Sequence, residues 1–399
     1  MVKIAVLGYG TVGSGVVEVI GRNCADRLEV KYILDLRDFP GDPYEDRVVH
    51  DFNIILNDAE ISVVCEVMGG VGAAYQFTKQ ALEAGKSVCT SNKELVAGHG
   101  TELLALAAAH GCHYLFEASV GGGIPLIRTI NTSLASERIQ AVTGILNGTT
   151  NYILSRMERE QADYAMVLKQ AQELGYAERN PDADVEGHDA CRKIAILSAL
   201  MTGRKVDPEK IYTEGITGIT LADFQFASMR QRKIKLLAMC SVQEDGKLSV
   251  LVAPFLLPGD HPLAGVNDVF NGVLITGNTL GDVMFHGRGA GKLPTASAVV
   301  ADVLDCAGSQ GRPVPGGWSD KEVEYAAEAE TDRRFFVRAR LSARREVEAA
   351  FPGGSAFGVG EIPSCEGEFG YFTAVMKEKN FEERYRKLGD AVLNRIRLA

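Results

Sequence analysis

The segment Ala177–Lys193, AERNPDADVEGHDACRK, gathers Glu178, Asp182, Asp184, Glu186 and Asp189 just ahead of Arg192 and Lys193. Charge clusters of this kind usually face water. The spacing at its end points inward instead. Asp189 and Lys193 stand one helical turn apart at the head of DACRKIAILSALM, and Lys193 shares a face with Ile196, Leu197 and Leu200. A lysine that begins a buried stripe needs a carboxylate or a ligand, and its proton affinity follows that partner. Glu178 and Asp184 add negative charge nearby, a mixture that suits a zwitterionic amino-acid ligand. A second cation, Lys93, lies in TSNKELVA, where Ser91 and Glu94 match a capping box and predict Lys93 within the first helical turn. A cation there opposes the helix dipole by roughly 0.3–1 kcal/mol unless an anionic or polarised ligand sits beside it.

The elements that would position these groups begin with VKIAVLGYGTVG, in which a short apolar strand runs into G-x-G-x-x-G at Gly8, Gly10 and Gly13, followed by a helical pattern. Gly8 permits the tight turn, Gly10 lets backbone approach a pyrophosphate, and Gly13 lets the helix lie close to the strand. At the end of the next strand, in YILDLRDF, Asp35 suits a ribose 2′-hydroxyl and Arg37 a 2′-phosphate. Arg37 lies nearer the loop, which favours NADP over NAD. Further strands at ISVVCEVMG and KSVCT, each followed by a helical pattern, predict an α/β fold with a Rossmann-type, doubly wound parallel sheet. The strand CHYLFEASV leads into Gly121-Gly122-Gly123-Ile124-Pro125; its Glu117 reads either as a metal ligand or as a buried hydrogen-bond acceptor.

From about residue 131 the rhythm changes to an inserted α+β domain, and near Gly287–Gly291 the chain returns to the first domain through the helical LPTASAVVADVLDCA. Gly289 and Gly291 read equally as cofactor-lining or as turn residues. The expected boundaries are residues 1–130 for dinucleotide binding, with a return at about 288–318; 131–287 for substrate binding and dimerisation; and 333–399 for a separate small α+β unit. Asn131 and Asn147 match glycosylation sequons, which read as chance.

Six ordered motifs over about residues 1–310 resemble homoserine dehydrogenase: GYGTVGSGV, TSNKELVA, FEASVGGGIPLI, GILNGTTNYIL, ELGYAERNPDADVEGHDACRK and GAGKLPTASAVVADV. The resemblance implies NAD(P)-dependent interconversion of L-homoserine and L-aspartate 4-semialdehyde, in threonine and methionine biosynthesis. It implies Lys193 as proton donor with Asp189 beside it, Lys93 as a second catalytic lysine, and Glu178 and Asp184 as ligands of the substrate amino group. Gly10, Thr11, Val12, Thr90 and Gly291 match cofactor contacts and Arg37 the 2′-phosphate contact. A sodium ion would fall on Glu117, Val120, Gly122 and Ile124, largely on backbone carbonyls. A homodimer or homotetramer is also implied. Residues 333–399 resemble an ACT regulatory domain, with departures: the usual aspartate-arginine-proline-glycine turn is missing and the centre, GGSAFGVGEIPSCEGE, looks shortened. Oligomerisation is therefore at least as good a reading of the tail as threonine binding.

Composition narrows the other classes. A formal charge of −10 and the lack of a basic run with interleaved aromatics disfavour nucleic acid and anionic lipid. No uncharged apolar run of about 18 residues suggests a membrane span, and MVKIAVLGYG starts a strand rather than a signal peptide, so a cytoplasmic location is expected. Eight scattered cysteines without a C-x-x-C pair read as reduced thiols. The rival class is a dinucleotide-responsive regulator that kept the fold without turnover; loss of Lys93, Lys193 or the adjacent carboxylates would mark it, and all are present.

Overall fold

The apolar run VKIAVL forms β1 (Val2–Leu7), and its neighbours are β2 (Leu28–Leu34), β3 (Val48–Val49), β4 (Ile61–Glu66), β5 (Ser87–Thr90) and β6 (Tyr114–Leu115). In the computed structural model, which describes residues 1–308 and 317–399, these six strands pair in parallel in the order β3-β2-β1-β4-β5-β6. That order reverses direction between β1 and β4, and the crevice beyond the strands' carboxyl ends at this point is where such sheets take ligands. The sheet can be parallel because helices cover it. Val16 and Ile20 of the helix Thr11–Asn23, and Val299 and Val303 of the helix Lys292–Gly308, pack with Ile4, Val6 and Ile33 in one core.

The chain divides into two units, residues 1–138, 195–209 and 287–323 in one, and 139–194, 210–286 and 324–399 in the other. The return to the first unit expected at 288–318 runs in part through 309–316, outside the described residues. The strand expected across CHYLFEASV ends at Leu115, and Glu117–Ser119 form a single 3-10 turn. The reason is tertiary: the Glu117 amide donates to the carboxylate of Asp302, 185 positions along the chain (2.8 Å), instead of to a neighbouring strand.

The second unit is built on one long sheet. Its path runs Gly281–Arg288, Phe270–Gly277, Ile139–Ile145, Arg232–Val242, Leu248–Pro258, Val392–Leu398, Asp332–Arg340, Glu368–Phe372, Ser355–Phe357. The run LSVLVAPFLLP is buried on both faces, as a central strand must be. Residues 333–399 were expected to stand apart; instead Val392–Leu398 pairs in parallel with Leu248–Pro258 through Phe255–Arg397 and Leu256–Leu398, so the tail continues this sheet. The tail still has its own aromatic core, in which Phe335 stacks on Phe381 at 3.6 Å and Phe351 lies 5.1 Å from Phe381. Apart from the two-residue strand Met376–Lys377, which pairs with the start of Asp332–Arg340, its elements run strand, helix, strand, strand, helix, strand, with the fourth strand beside the first, then the third, then the second. That is a ferredoxin-like arrangement.

Candidate active site

In the first unit the glycine turn has the geometry its residue types require. Gly8 has φ +93°, and a Cβ on Gly13 would lie 1.9 Å from the Gly8 carbonyl oxygen, so no other residue fits there without opening the turn. A Cβ on Gly10 would meet nothing within 4 Å, which leaves the backbone open at the start of the helix Thr11–Asn23. No side chain caps that helix; Thr11 is exposed and Val12 half-buried. Open backbone amides at a helix N-terminus suit a pyrophosphate, so the residues fit a dinucleotide.

Asp35, at the end of β2, accepts at Oδ2 from the Tyr9 amide (2.8 Å) and Nη2 of Arg37 (3.0 Å), and at Oδ1 from the Arg37 amide and Nε (both 3.0 Å). The Arg37 guanidinium holds this carboxyl well below the usual carboxylate range. Four bonds use the acceptor capacity of a carboxylate. Arg37 itself is 62% exposed.

At the ends of β4 and β5 lies a group that the sequence reading did not single out. Glu66 is fully buried; its carboxylate accepts from the Thr90 hydroxyl (2.5 Å) and the Met68 amide (2.9 Å), and burial pushes its pKa up to about 7. The Thr90 hydroxyl in turn accepts from the Asn92 amide (2.9 Å), while Asn92 donates to the Gly70 carbonyl (2.7 Å) and caps the helix Lys93–Ala109 at the Leu95 amide (3.1 Å). The expected Ser91–Glu94 capping box is therefore replaced by an Asn92 cap. Lys93 becomes the first helical residue, half-buried. An acidic residue closing an otherwise apolar strand, ISVVCE, was the available signal for Glu66.

The Glu117 carboxylate is buried and accepts from the amides of Ile127 (3.0 Å) and Arg128 (2.6 Å). Val120, Gly122 and Ile124 follow in a buried turn; Gly121 and Gly122 have φ +75° and +57°. A Cβ on Gly122 would sit 2.5 Å from the Gly289 backbone, so these two glycine-rich loops meet at van der Waals contact. Gly291, φ +123°, precedes the helix Lys292–Gly308 and accepts at its carbonyl from Thr295. Among the described residues no group of three or more His, Cys, Asp and Glu side chains could hold a metal ion.

The second unit contains the acidic segment. Asp189 and Lys193 lie on the helix His188–Thr202, whose first turns, through Ile194, belong to this unit. Lys193 is only 9% exposed; its Nζ donates to Asp189 Oδ2 (2.7 Å) and to the Leu146 carbonyl (2.8 Å). Asn147 donates from Nδ2 to both Asp184 Oδ1 (2.7 Å) and Asp189 Oδ2 (2.8 Å). Burial raises the pKa of Asp184; the Asn147 hydrogen bond lowers it and the Asp189 charge raises it further. Asp184, Asp189 and Lys193 are thus one cluster. Asp182 is exposed and Glu186 half-buried. Glu178 is exposed, and among the described residues its carboxylate makes no hydrogen bond to the cluster; its backbone carbonyl accepts from Gln172 (3.0 Å). Asn147 is the residue sequence reasoning passed over, read there as a chance sequon. The overlooked signal was an asparagine immediately ahead of a helical pattern, GTTNYIL, where it caps the helix Gly148–Glu160.

No helix among the described residues is long and apolar enough to cross a membrane. Two family models match the chain: "Homoserine dehydrogenase, NAD binding domain" over residues 8–117 and "Homoserine dehydrogenase" over residues 125–304. The homoserine dehydrogenase of Synechocystis is 47% identical over 319 residues, 77% of this chain and 73% of that protein; that of Bacillus subtilis is 42% identical over 318 residues, 76% and 72%. Among solved structures, a homoserine dehydrogenase from Thiobacillus denitrificans superposes with a TM-score of 0.89 at 32% identity, covering 100% of this chain and 98% of that one. A hyperthermophilic archaeal homoserine dehydrogenase in complex with NADPH gives 0.65 at 28% identity, covering 76% and 97%.

Proposed function

The chain belongs to the homoserine dehydrogenase family and is an NAD(P)-dependent oxidoreductase, and from that premise we propose which residues carry its interconversion of L-homoserine and L-aspartate 4-semialdehyde. The observation that carries the assignment is the buried Lys193 ammonium, held by Asp189 and the Leu146 carbonyl through two of its three N–H bonds. The third is left for a substrate oxygen. A bound nicotinamide dinucleotide supplies the hydride. As the aldehyde oxygen gains charge, Lys193 stabilises it and then delivers the proton; in the reverse direction it takes the proton back. Asp189 keeps the lysine aimed. Asp184, with Glu178, binds the substrate amino group, and Lys93 acts as a second cation toward the reacting groups.

The dinucleotide is held by Gly8, Gly10, Thr11, Val12 and Gly13, with Thr90 and Gly291 as further contacts. NADP is the favoured coenzyme. The saturation of Asp35 by Tyr9 and Arg37 supports this, because it leaves the exposed Arg37 guanidinium, rather than a carboxylate, to meet the ribose. A sodium ion at the carbonyls of Glu117, Val120, Gly122 and Ile124 belongs to the same proposal; an all-oxygen donor set suits a hard cation.

Residues 1–130 with their return at about 288–318 form the dinucleotide-binding domain of this reading, and 131–287 the substrate and dimerisation domain. The tail's strand order supports an ACT-like module with an assembly role. The exposed edge strand Gly281–Arg288 supports a homodimer or homotetramer, since unpaired edges invite pairing. A cytoplasmic location completes the proposal. The test is steady-state kinetics on homoserine with NADP and with NAD, with and without threonine. Lys193→Ala should lower kcat at least about 100-fold. No homoserine-dependent coenzyme reduction, with Lys193→Ala indistinguishable from wild type, would sink the assignment.

A further inference from the structure

We infer that Asn147 is a positioning residue of the substrate half-site, whose side-chain amide holds the Asp184 and Asp189 carboxylates in one arrangement and, through Asp189, aims the Lys193 ammonium. This rests on the roles proposed above for Lys193 and the two aspartates. The side chain is 5% exposed and its orientation is over-determined. Its Oδ1 accepts from the Thr150 amide (2.8 Å) and the Thr150 hydroxyl (3.1 Å), which is the N-cap of the helix Gly148–Glu160. With the oxygen fixed on the helix end, both hydrogens of Nδ2 must point the other way, at Asp184 Oδ1 and Asp189 Oδ2. Asp189 Oδ2 therefore takes Asn147 and Lys193 on the same atom, at 2.8 and 2.7 Å. The residue before Asn147 closes the loop, since Leu146 supplies the carbonyl that receives the other Lys193 bond.

The cap is itself anchored from behind. A Cβ on Gly148 would lie 2.9 Å from the Val269 carbonyl oxygen, so the helix start presses on the loop Val266–Phe270. That loop is held by Asn151, which donates to the carbonyls of Asp268 and Phe270 (both 3.0 Å), and by the buried Lys235, which donates to the Val266 carbonyl (2.5 Å) and Asn267 Oδ1 (3.1 Å). A neutral double donor between two carboxylates has a definite electrostatic effect. The charged groups that face Asp184 are Asp189, which repels its ionised form, and Lys193, which favours it; Asn147 favours ionisation of Asp184 without adding charge.

Capping and positioning separate by substitution. Asn147→Asp and Asn147→Ser keep an oxygen that can cap the helix; the thermal midpoint of Asn147→Ser should stay near that of wild type, while Asn147→Asp melts lower because its new carboxylate is repelled by Asp184 and Asp189. Asn147→Asp removes both donors and adds a third carboxylate. It should lower kcat about 100-fold, leave the KM for the coenzyme within about twofold, and move the acid limb of the kcat–pH profile upward. Asn147→Ser, unable to reach both aspartates, should fall between. A folded Asn147→Asp enzyme with wild-type kcat and an unshifted profile overturns the proposal. If wild type turns over no homoserine, the functional reading fails instead. Asn147 is then judged by carboxyl 13C NMR of Asp184 alone: a raised titration midpoint in Asn147→Asp supports the positioning role, and an unchanged one overturns it.

Discussion

Glu66 makes the stability of the first unit depend on pH in a direction opposite to that of an ordinary salt-bridged acid. Its pKa rises from 4.5 to about 7 because burial penalises the carboxylate more than the Thr90 and Met68 hydrogen bonds favour it. The folded state therefore binds this proton more tightly than the unfolded state. The contribution is most favourable below pH 4.5, falls as pH rises toward about 7, and is constant above that. A difference of about 2.5 units at roughly 1.4 kcal/mol each amounts to ~3 kcal/mol across that window. Glu66→Gln removes the titration. Its carboxamide oxygen can still accept from Thr90, whereas the NH2 group cannot accept from the Met68 amide, so a constant offset from wild type is expected at every pH. The informative quantity is the slope. Urea unfolding at several pH values can be followed through Trp318, the chain's only tryptophan, which lies in the same unit and donates to Thr101 (2.9 Å). The wild-type stability, less that of Glu66→Gln, should fall by about 3 kcal/mol between pH 4.5 and 7. Parallel curves for the two proteins would refute the reasoning. So would a wild-type spectrum lacking the infrared band of a buried, protonated carboxylic acid at mildly acidic pH.

The other predictions concern separable parts of the molecule. Gly10→Ala meets open space and should leave stability within about 0.5 kcal/mol of wild type while raising the KM for the coenzyme; unchanged coenzyme kinetics would remove the pyrophosphate from this turn. Gly13→Ala, whose Cβ has 1.9 Å to the Gly8 carbonyl oxygen, should cost about 1–3 kcal/mol or more in overpacking and show in thermal melts as well as in kinetics. Arg397 is fully buried and donates to Glu378 Oε1 (2.5 Å) and Glu214 Oε2 (2.8 Å), joining the tail to the segment before the central strands. Arg397→Met removes one of two guanidinium partners from each acid, since Glu378 keeps Arg333 (2.9 Å) and Glu214 keeps Arg395 (3.0 Å), and should destabilise the second unit by about 1.5–3 kcal/mol in urea; a loss under about 0.5 kcal/mol would mean that Arg397 contributes little.

Much of the site was legible because it depends on short-range geometry. The strand-turn-helix of Gly8, Gly10 and Gly13 is dictated within a dozen residues by which positions tolerate a Cβ. The Asp189–Lys193 pair follows from the rise of one helical turn, and the structure returns it as a 2.7 Å contact. Glu178 is exposed, and among the described residues its carboxylate makes no hydrogen bond to the cluster, so its nearness in sequence to Asp184 says nothing of how the two carboxylates are oriented.

The sequence by itself determined the dinucleotide turn, the alternation of strands and helices, and the spacing that pairs a lysine with an aspartate. Tertiary structure decided everything that rests on contacts between distant segments. Asn147 reaches Asp189 across 42 positions, and Glu66 reaches Thr90 across 24. Whether Arg37 faces solvent or Asp35, and whether the tail forms its own sheet or extends another, depended on partners that packing supplies. Local rules fix backbone conformation and side-chain periodicity over a few residues. Which polar groups are buried, and with whom, is set only when the whole chain has excluded water from them, since a buried donor or charge must take whatever partner the fold brings within reach.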